Sequence, residues 1–169
     1  MSFSMYAASA PVFARSLGNL LKILDKAQAH AEAKKFEPSV YMTLRLAPDM
    51  LAFPRQIQIA TDTAKGCVAR LAGIEIPKYE DDEATLDDLR ARLRKTIDFV
   101  QSVPADKFAD AEGRDVELPR RSGEPIRFKG DGYLVHFALP NFYFHVTTAY
   151  ALLRQAGVEI GKMDYLGQP

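Results

Sequence analysis

Asn141 and His145 stand one helical turn apart inside the stretch "HFALPNFYFHVTTAYALLRQAG", which runs from His136 to Gly157 and holds two of the chain's three histidines among its densest aromatics. Imidazole is the side chain that titrates near neutrality, and it is also the commonest metal ligand. An amide beside it adds one donor pair and one acceptor. Taking 100° per residue, Leu134, Asn141, His145, Thr148 and Leu152 fall on one side of this segment. His136, Tyr143, Tyr150 and Arg154 fall on the opposite side, and Phe137, Phe142 and Phe144 spread over the remaining arcs. A helix apolar nearly all round is buried on more than one side, so its polar stripe must find partners. Two readings stand. In one, His145 bonds a backbone carbonyl or a Thr side chain inside the core. In the other, Asn141 and His145 face a cleft that Gln56, and with it Asp49, enters from an earlier helix. Pro140 leans toward the second reading, because it leaves the carbonyl of His136 without its N–H partner and helix breaks open space beside sites.

Other constellations carry less chemistry. Cys67 lies on an apolar stripe with no histidine within a turn, so it reads as packing and not as a nucleophile. The run "EDDE" at 80–83 reads as a solvated loop, since it lacks the spaced oxygens and central glycine of a calcium loop. "GDG" at 130–132 reads as a turn without a phosphate-binding glycine pattern. His30, near charged neighbours on a helix margin, reads as a surface residue.

Four helical segments must position these groups. The first spans about Ser9 to Phe36, with Phe13, Leu17, Leu20, Leu24, Ala27 and Ala31 on one stripe, Ser9 as cap, Pro11 in the first turn and Pro38 as terminator. The second spans about Pro48 to Leu71 and ends at Gly73. Its stripe is Met50, Phe53, Ile57, Ala60, Ala64, Cys67, Val68 and Leu71, with Asp49, Gln56 and Thr63 along one edge. Pro54 is expected to kink or loosen its first turns. The third, "TLDDLRARLRKTIDFVQSV", opens on a capping box of Thr85 and Asp88 and buries Leu86, Leu89, Leu93, Ile97 and Val100. Asp115–Leu118 and Pro125–Lys129 alternate around a Ser122-Gly123 turn, which predicts a hairpin that must lean on the bundle. The fourth helix begins around Asp131 to Tyr133 and ends at Gly157. The expected fold is all-α, an up-and-down four-helix bundle with a short β-hairpin inserted before the last helix, forming a single domain over residues 1–169.

Composition narrows the function classes. The chain has 169 residues, 47% of them apolar, and 22 basic residues balance 22 acidic ones. A nucleic-acid partner is not expected, since the excess of Lys and Arg that displaces phosphate counterions is missing and the longest basic cluster is Arg120-Arg121 in a turn. One cysteine cannot form an internal disulfide, the N-terminus lacks a signal-peptide pattern, and no run approaches 18 apolar residues. A cytoplasmic protein with no membrane partner is the expectation.

The motifs "LAPDM…RQIQIATDTAKG" and, above all, "PNFYFHVTTAYALLR", within "LPNFYFHVTTAYALLRQAGVEIGKMDYLG", resemble a family of small bacterial proteins of unknown function in the DinB-like (DinB/YfiT) superfamily. The resemblance runs from "MYAASAPVFARSLGNL" to "KMDYLG". It implies the same four-helix bundle. It also implies a divalent metal on three histidines, one from the second helix and an H-x-x-x-H pair from the fourth, and thiol-dependent transferase activity in several relatives. Aligned on "ALLRQAGVE…G", His145 takes the second histidine of the pair, Asn141 the first, and Gln56 the second-helix position. One imidazole and two amides make a poor site for zinc or nickel, so no cofactor is expected, and only a weakly held divalent metal at His145 stays open. Three functions follow, in this order of preference: a bundle that binds a small molecule or peptide around His145, Asn141, Gln56, Asp49 and Thr148; a homodimeric interaction protein joined through the Tyr143 and Tyr150 face; and an enzyme, a degenerate thiol transferase or hydrolase, using His145.

Overall fold

The computed structural model describes residues 4–120 and 122–168, so Arg121 of the basic pair lies outside the described residues. Helix α1 (Ala10–Lys34) buries the whole stripe from Phe13 to Ala31. Pro11 sits in its first turn, where a missing N–H has no consequence. Ser9 precedes the helix but does not cap it: its hydroxyl donates back to the carbonyl of Met5 at 2.6 Å. Lys35, at φ 58°, closes the helix in the left-handed region.

His30 departs from the surface reading. It is half-buried, its Nδ1 lies 2.7 Å from the Tyr41 hydroxyl, and its ring stands edge-on to Phe36. Tyr41 belongs to a short 3-10 turn (Pro38–Thr43) and is buried.

Helix α2 (Phe53–Ala72) starts five residues later than its periodicity suggested. Pro54 is the reason. It occupies the opening turn and does not kink an existing one, and the residues before it are extended or turning, as a chain ahead of proline prefers. Asp49 therefore lies in an exposed turn outside the helix, and Met50 is only partly buried. At the other end Gly73 takes φ 66° as expected.

Helix α3 (Leu86–Ser102) opens on the capping box of Thr85 and Asp88, both halves formed. The preceding acidic loop is tied down more than a solvated loop would be. Arg92 of α3, with 2% of its side chain exposed, binds Asp62 at 2.8 Å, Asp81 at 3.1 Å and Glu83 at 2.9 Å. Its remaining donors reach Thr61 Oγ1 at 2.7 Å and the carbonyl of Glu80 at 2.8 Å. Satisfied on every side, this guanidinium pins the loop across α2 and α3.

Strands β1 (Asp115–Leu118) and β2 (Ile126–Lys129) pair antiparallel, with Val116 opposite Phe128 and Leu118 opposite Ile126. Val116 and Leu118 turn into the core, and Phe128 packs near Tyr133 and Phe137, which supplies the support a lone hairpin needs.

The fourth helical run comprises α4 (Gly130–Tyr133), a π-helical turn (Leu134–Ala138) and α5 (Leu139–Gln155). Gly130 lies so close to the neighbouring chain that a Cβ would fall 1.8 Å from the carbonyl oxygen of Ala111. The π turn answers the problem set by Pro140. The N–H of Leu139 reaches back five residues to the carbonyl of Leu134, which widens the turn just before the proline ring enters. The break is thus a change of helical register and not a bare bend. Gly157, at φ 95°, follows α5, and the short helix α6 (Lys162–Leu166) returns across α1. Helix α1 packs along α3 and α2 along α5, giving the four-helix bundle with its hairpin before the last long helix. No helix is long and apolar enough to cross a membrane among the described residues.

Candidate functional site

The opening turn of α2 and the middle of α5 meet at Gln56 and His145, which are 1% and 8% exposed. Gln56 owes its position to the late start of the helix, which leaves the extended chain around Leu51 beside its side chain. Its amide Nε2 donates to the carbonyl of Leu51 at 2.8 Å. That bond decides which end of the amide faces α5: Oε1 lies 2.7 Å from His145 Nδ1. An amide oxygen only accepts, so His145 Nδ1 carries the proton and donates. Nε2 is left with its lone pair.

That nitrogen has no hydrogen-bond partner among the described residues. None of their fully buried side-chain nitrogens or oxygens lacks a partner, so Nε2 keeps some contact with solvent. Burial holds the imidazole below its ordinary titration range, and the Arg55 cation beside Gln56 lowers it further. The neutral ring is therefore the stable form at neutral pH. Phe144 stands edge-on to it with ring centres 5.1 Å apart. Phe144 is 55% exposed, so one apolar ring beside the imidazole faces outward.

The remaining residues of the polar stripe divide. Asn141 Nδ2 donates to Thr63 Oγ1 of α2 at 2.8 Å, a second bond across the same seam. Thr148 is buried, and its hydroxyl donates to the carbonyl of Phe144 one turn back in its own helix at 2.7 Å. Asp49 sits in its exposed turn and takes no part. His145 bonds neither a backbone carbonyl nor a threonine: its partner is the Gln56 amide. Five surface clefts of roughly 400 to 490 Å3 lie elsewhere, and none has His145, Asn141 or Gln56 in its lining.

A three-imidazole metal centre does not fit these residues. Gln56 Oε1 is engaged by His145, and the Asn141 amide is turned toward Thr63. Amide oxygens bind borderline metals weakly in any case. No group of three His, Cys, Asp or Glu side chains gathers among the described residues. Cys67 is fully buried and burial pushes its thiol far up, so it stays protonated and packed.

The carbonyl of Leu51 and the ring of Phe144 escaped the sequence reading. Treating Pro48–Leu71 as one helix hid the first, and counting Phe144 as core hid the second. On the opposite face Tyr143 is exposed, while Tyr150 meets Tyr165 with ring centres 5.9 Å apart. The chain's own C-terminal helix thus covers part of the surface for which a second copy was expected.

The family model described as a domain of unknown function, DUF1993, matches residues 5–166. A crystal structure of a DinB family member protein from Shewanella denitrificans is 42% identical, covers 98% of this chain and 93% of its own, and superposes with a TM-score of 0.91. No curated protein matches the chain.

Proposed function

The chain belongs to the DUF1993 family, and we propose that the α2–α5 seam of its DinB-like bundle binds a small molecule through His145 Nε2. The observation that carries this reading is the Leu51–Gln56–His145 relay. Two bonds, at 2.8 Å and 2.7 Å, hold the imidazole in one tautomer with an unprotonated nitrogen facing out. The ring has one nitrogen held and one free.

The matching ligand carries a hydrogen-bond donor for Nε2 and an apolar part to lie against Phe144. Binding is favoured over catalysis here, because Asn141, Gln56 and Thr148 are all engaged in bonds of their own. His145 is the residue free to meet the ligand. No metal enters this reading.

Phenol is a suitable probe, as the smallest molecule joining a donor to an apolar ring. Titrating it against the protein with the His145 imidazole observed by NMR is expected to move the Nε2 signal, and His145→Ala is expected to abolish binding. Phenol shifts scattered over other surfaces, with His145 unmoved, would overturn the reading.

A further inference from the structure

Arg15, Asn19, Lys22 and Lys26 are spaced four, three and four residues apart on α1 and so share one stripe of that helix. The C-terminal segment from Gly161 to Gln168 lies antiparallel along it. Asp164 meets Lys26 at 2.7 Å, at the far end of the stripe. The carbonyl of Tyr165 accepts from Asn19 Nδ2 at 3.0 Å. Those of Leu166 and Gln168 accept from Arg15 Nη2 at 3.3 and 3.1 Å.

Three of these four contacts are to main-chain carbonyls, which any peptide offers. The side-chain selectivity comes from two places. One is the acidic residue at Lys26. The other is the aromatic ring of Tyr165, whose hydroxyl pairs with Thr147 Oγ1 at 3.0 Å and whose ring packs against Tyr150. Gly167, at φ 72°, completes the fit, since a Cβ there would fall 2.5 Å from Asn19 Oδ1.

Of this segment Tyr165 packs against the core, and the rest lies at the surface. Helix α6 has no buried residue, and Met163 and Leu166 are exposed. Open clefts of about 450 and 490 Å3 flank it, the first lined by Val12, Ser16 and Tyr143, the second by Gly18 and Lys22. No ion pair among the described residues engages Lys22, so a cation of the stripe is left over beside the occupant.

We propose that the groove between α1 and α5 is a peptide-docking surface, which the chain's own C-terminal segment fills in cis. Its partner is a segment of another protein with an acidic residue followed by an aromatic, an aliphatic and a glycine turn, the order seen in Asp164-Tyr165-Leu166-Gly167. A second acidic side chain on that partner would meet Lys22. A tethered occupant competes at an effective concentration of about the millimolar range, so the partner displaces it only by exceeding its contacts.

The test uses a fluorescein-labelled peptide GKMDYLGQ and three full-length proteins: wild type, Asp164→Ala/Tyr165→Ala, and the latter with Arg15→Ala/Asn19→Ala added. Circular dichroism and melting curves establish that each is folded. The cis-weakened variant is expected to bind the peptide at least about tenfold tighter than wild type. Adding the two α1 substitutions is expected to erase that gain. Equal binding by all three folded proteins, or no binding by the cis-weakened variant, overturns the proposal. Concentration-dependent dimers of wild type without a gain in peptide affinity also overturn it, in favour of exchange with a second copy.

Discussion

Gln56 and His145 are 89 residues apart in the chain, and Oε1 of one lies 2.7 Å from Nδ1 of the other because the carbonyl of Leu51 has already taken the amide's donor end. Three residues, from a loop, a helix start and a helix middle, thereby set the protonation pattern of one imidazole.

Gln56→Leu removes the acceptor but keeps the volume. It leaves the Nδ1–H of a buried ring without a partner, which costs about 1–3 kcal/mol. Urea unfolding is expected to show a loss in that range, with the imidazole becoming a mixture of tautomers.

Stability is expected to depend on pH through His145. The folded ring titrates below its ordinary value of 6.5, first because of burial and then because of Arg55, so the unfolded chain binds the proton more readily. The contribution is complete above that ordinary value and is lost as pH falls through the lowered folded one. Melting temperatures of wild type should therefore drop as pH falls below about 6.5, and His145→Gln should flatten that part of the curve. A wild-type profile that rises toward acid would contradict the assigned sign.

Much of the architecture was legible before any coordinates. The stripes of α1 and α3, the Thr85–Asp88 box and the hairpin itself all follow from local spacing and end chemistry. Two things were not. Periodicity alone could not tell that Pro54 opens a helix and does not bend one, because apolar residues continue upstream at compatible spacing. A constant 100° per residue cannot express the π turn before Pro140. At the site, Gln56 and His145 emerged from helix faces and the family resemblance. Leu51 did not, because it acts through a main-chain carbonyl that leaves no mark in residue type.

Arg92 anchors the acidic loop, and its removal leaves Glu83, whose side chain is only 9% exposed, with the Gln58 amide but no cation. Arg92→Ala is expected to cost about 3–5 kcal/mol, as breaking one side of a buried pair does. Amide hydrogen exchange should accelerate across residues 77–83 more than in α5. Uniform acceleration would argue against a local clamp.

Gly130→Ala drives a Cβ into the Ala111 carbonyl. Because both sides of the contact are backbone, relief requires shifting α4 itself, and a loss above about 3 kcal/mol is expected by thermal or urea unfolding.

Metal binding is expected to be weak in the natural chain and to return when imidazoles replace the amides. After zinc loading and dialysis, elemental analysis should find well under one equivalent in wild type. Gln56→His/Asn141→His should approach one equivalent. Full retention by wild type would contradict the fit drawn from the donor set.

The tautomer of His145 is the point on which the binding proposal turns, and long-range proton–nitrogen NMR of the imidazole at pH 7.5 reads it directly. The expected spectrum has a protonated, pyrrole-like Nδ1 and a bare, pyridine-like Nε2, with the pattern collapsing in Gln56→Leu. A protonated Nε2, or two averaged nitrogens in wild type, would contradict it.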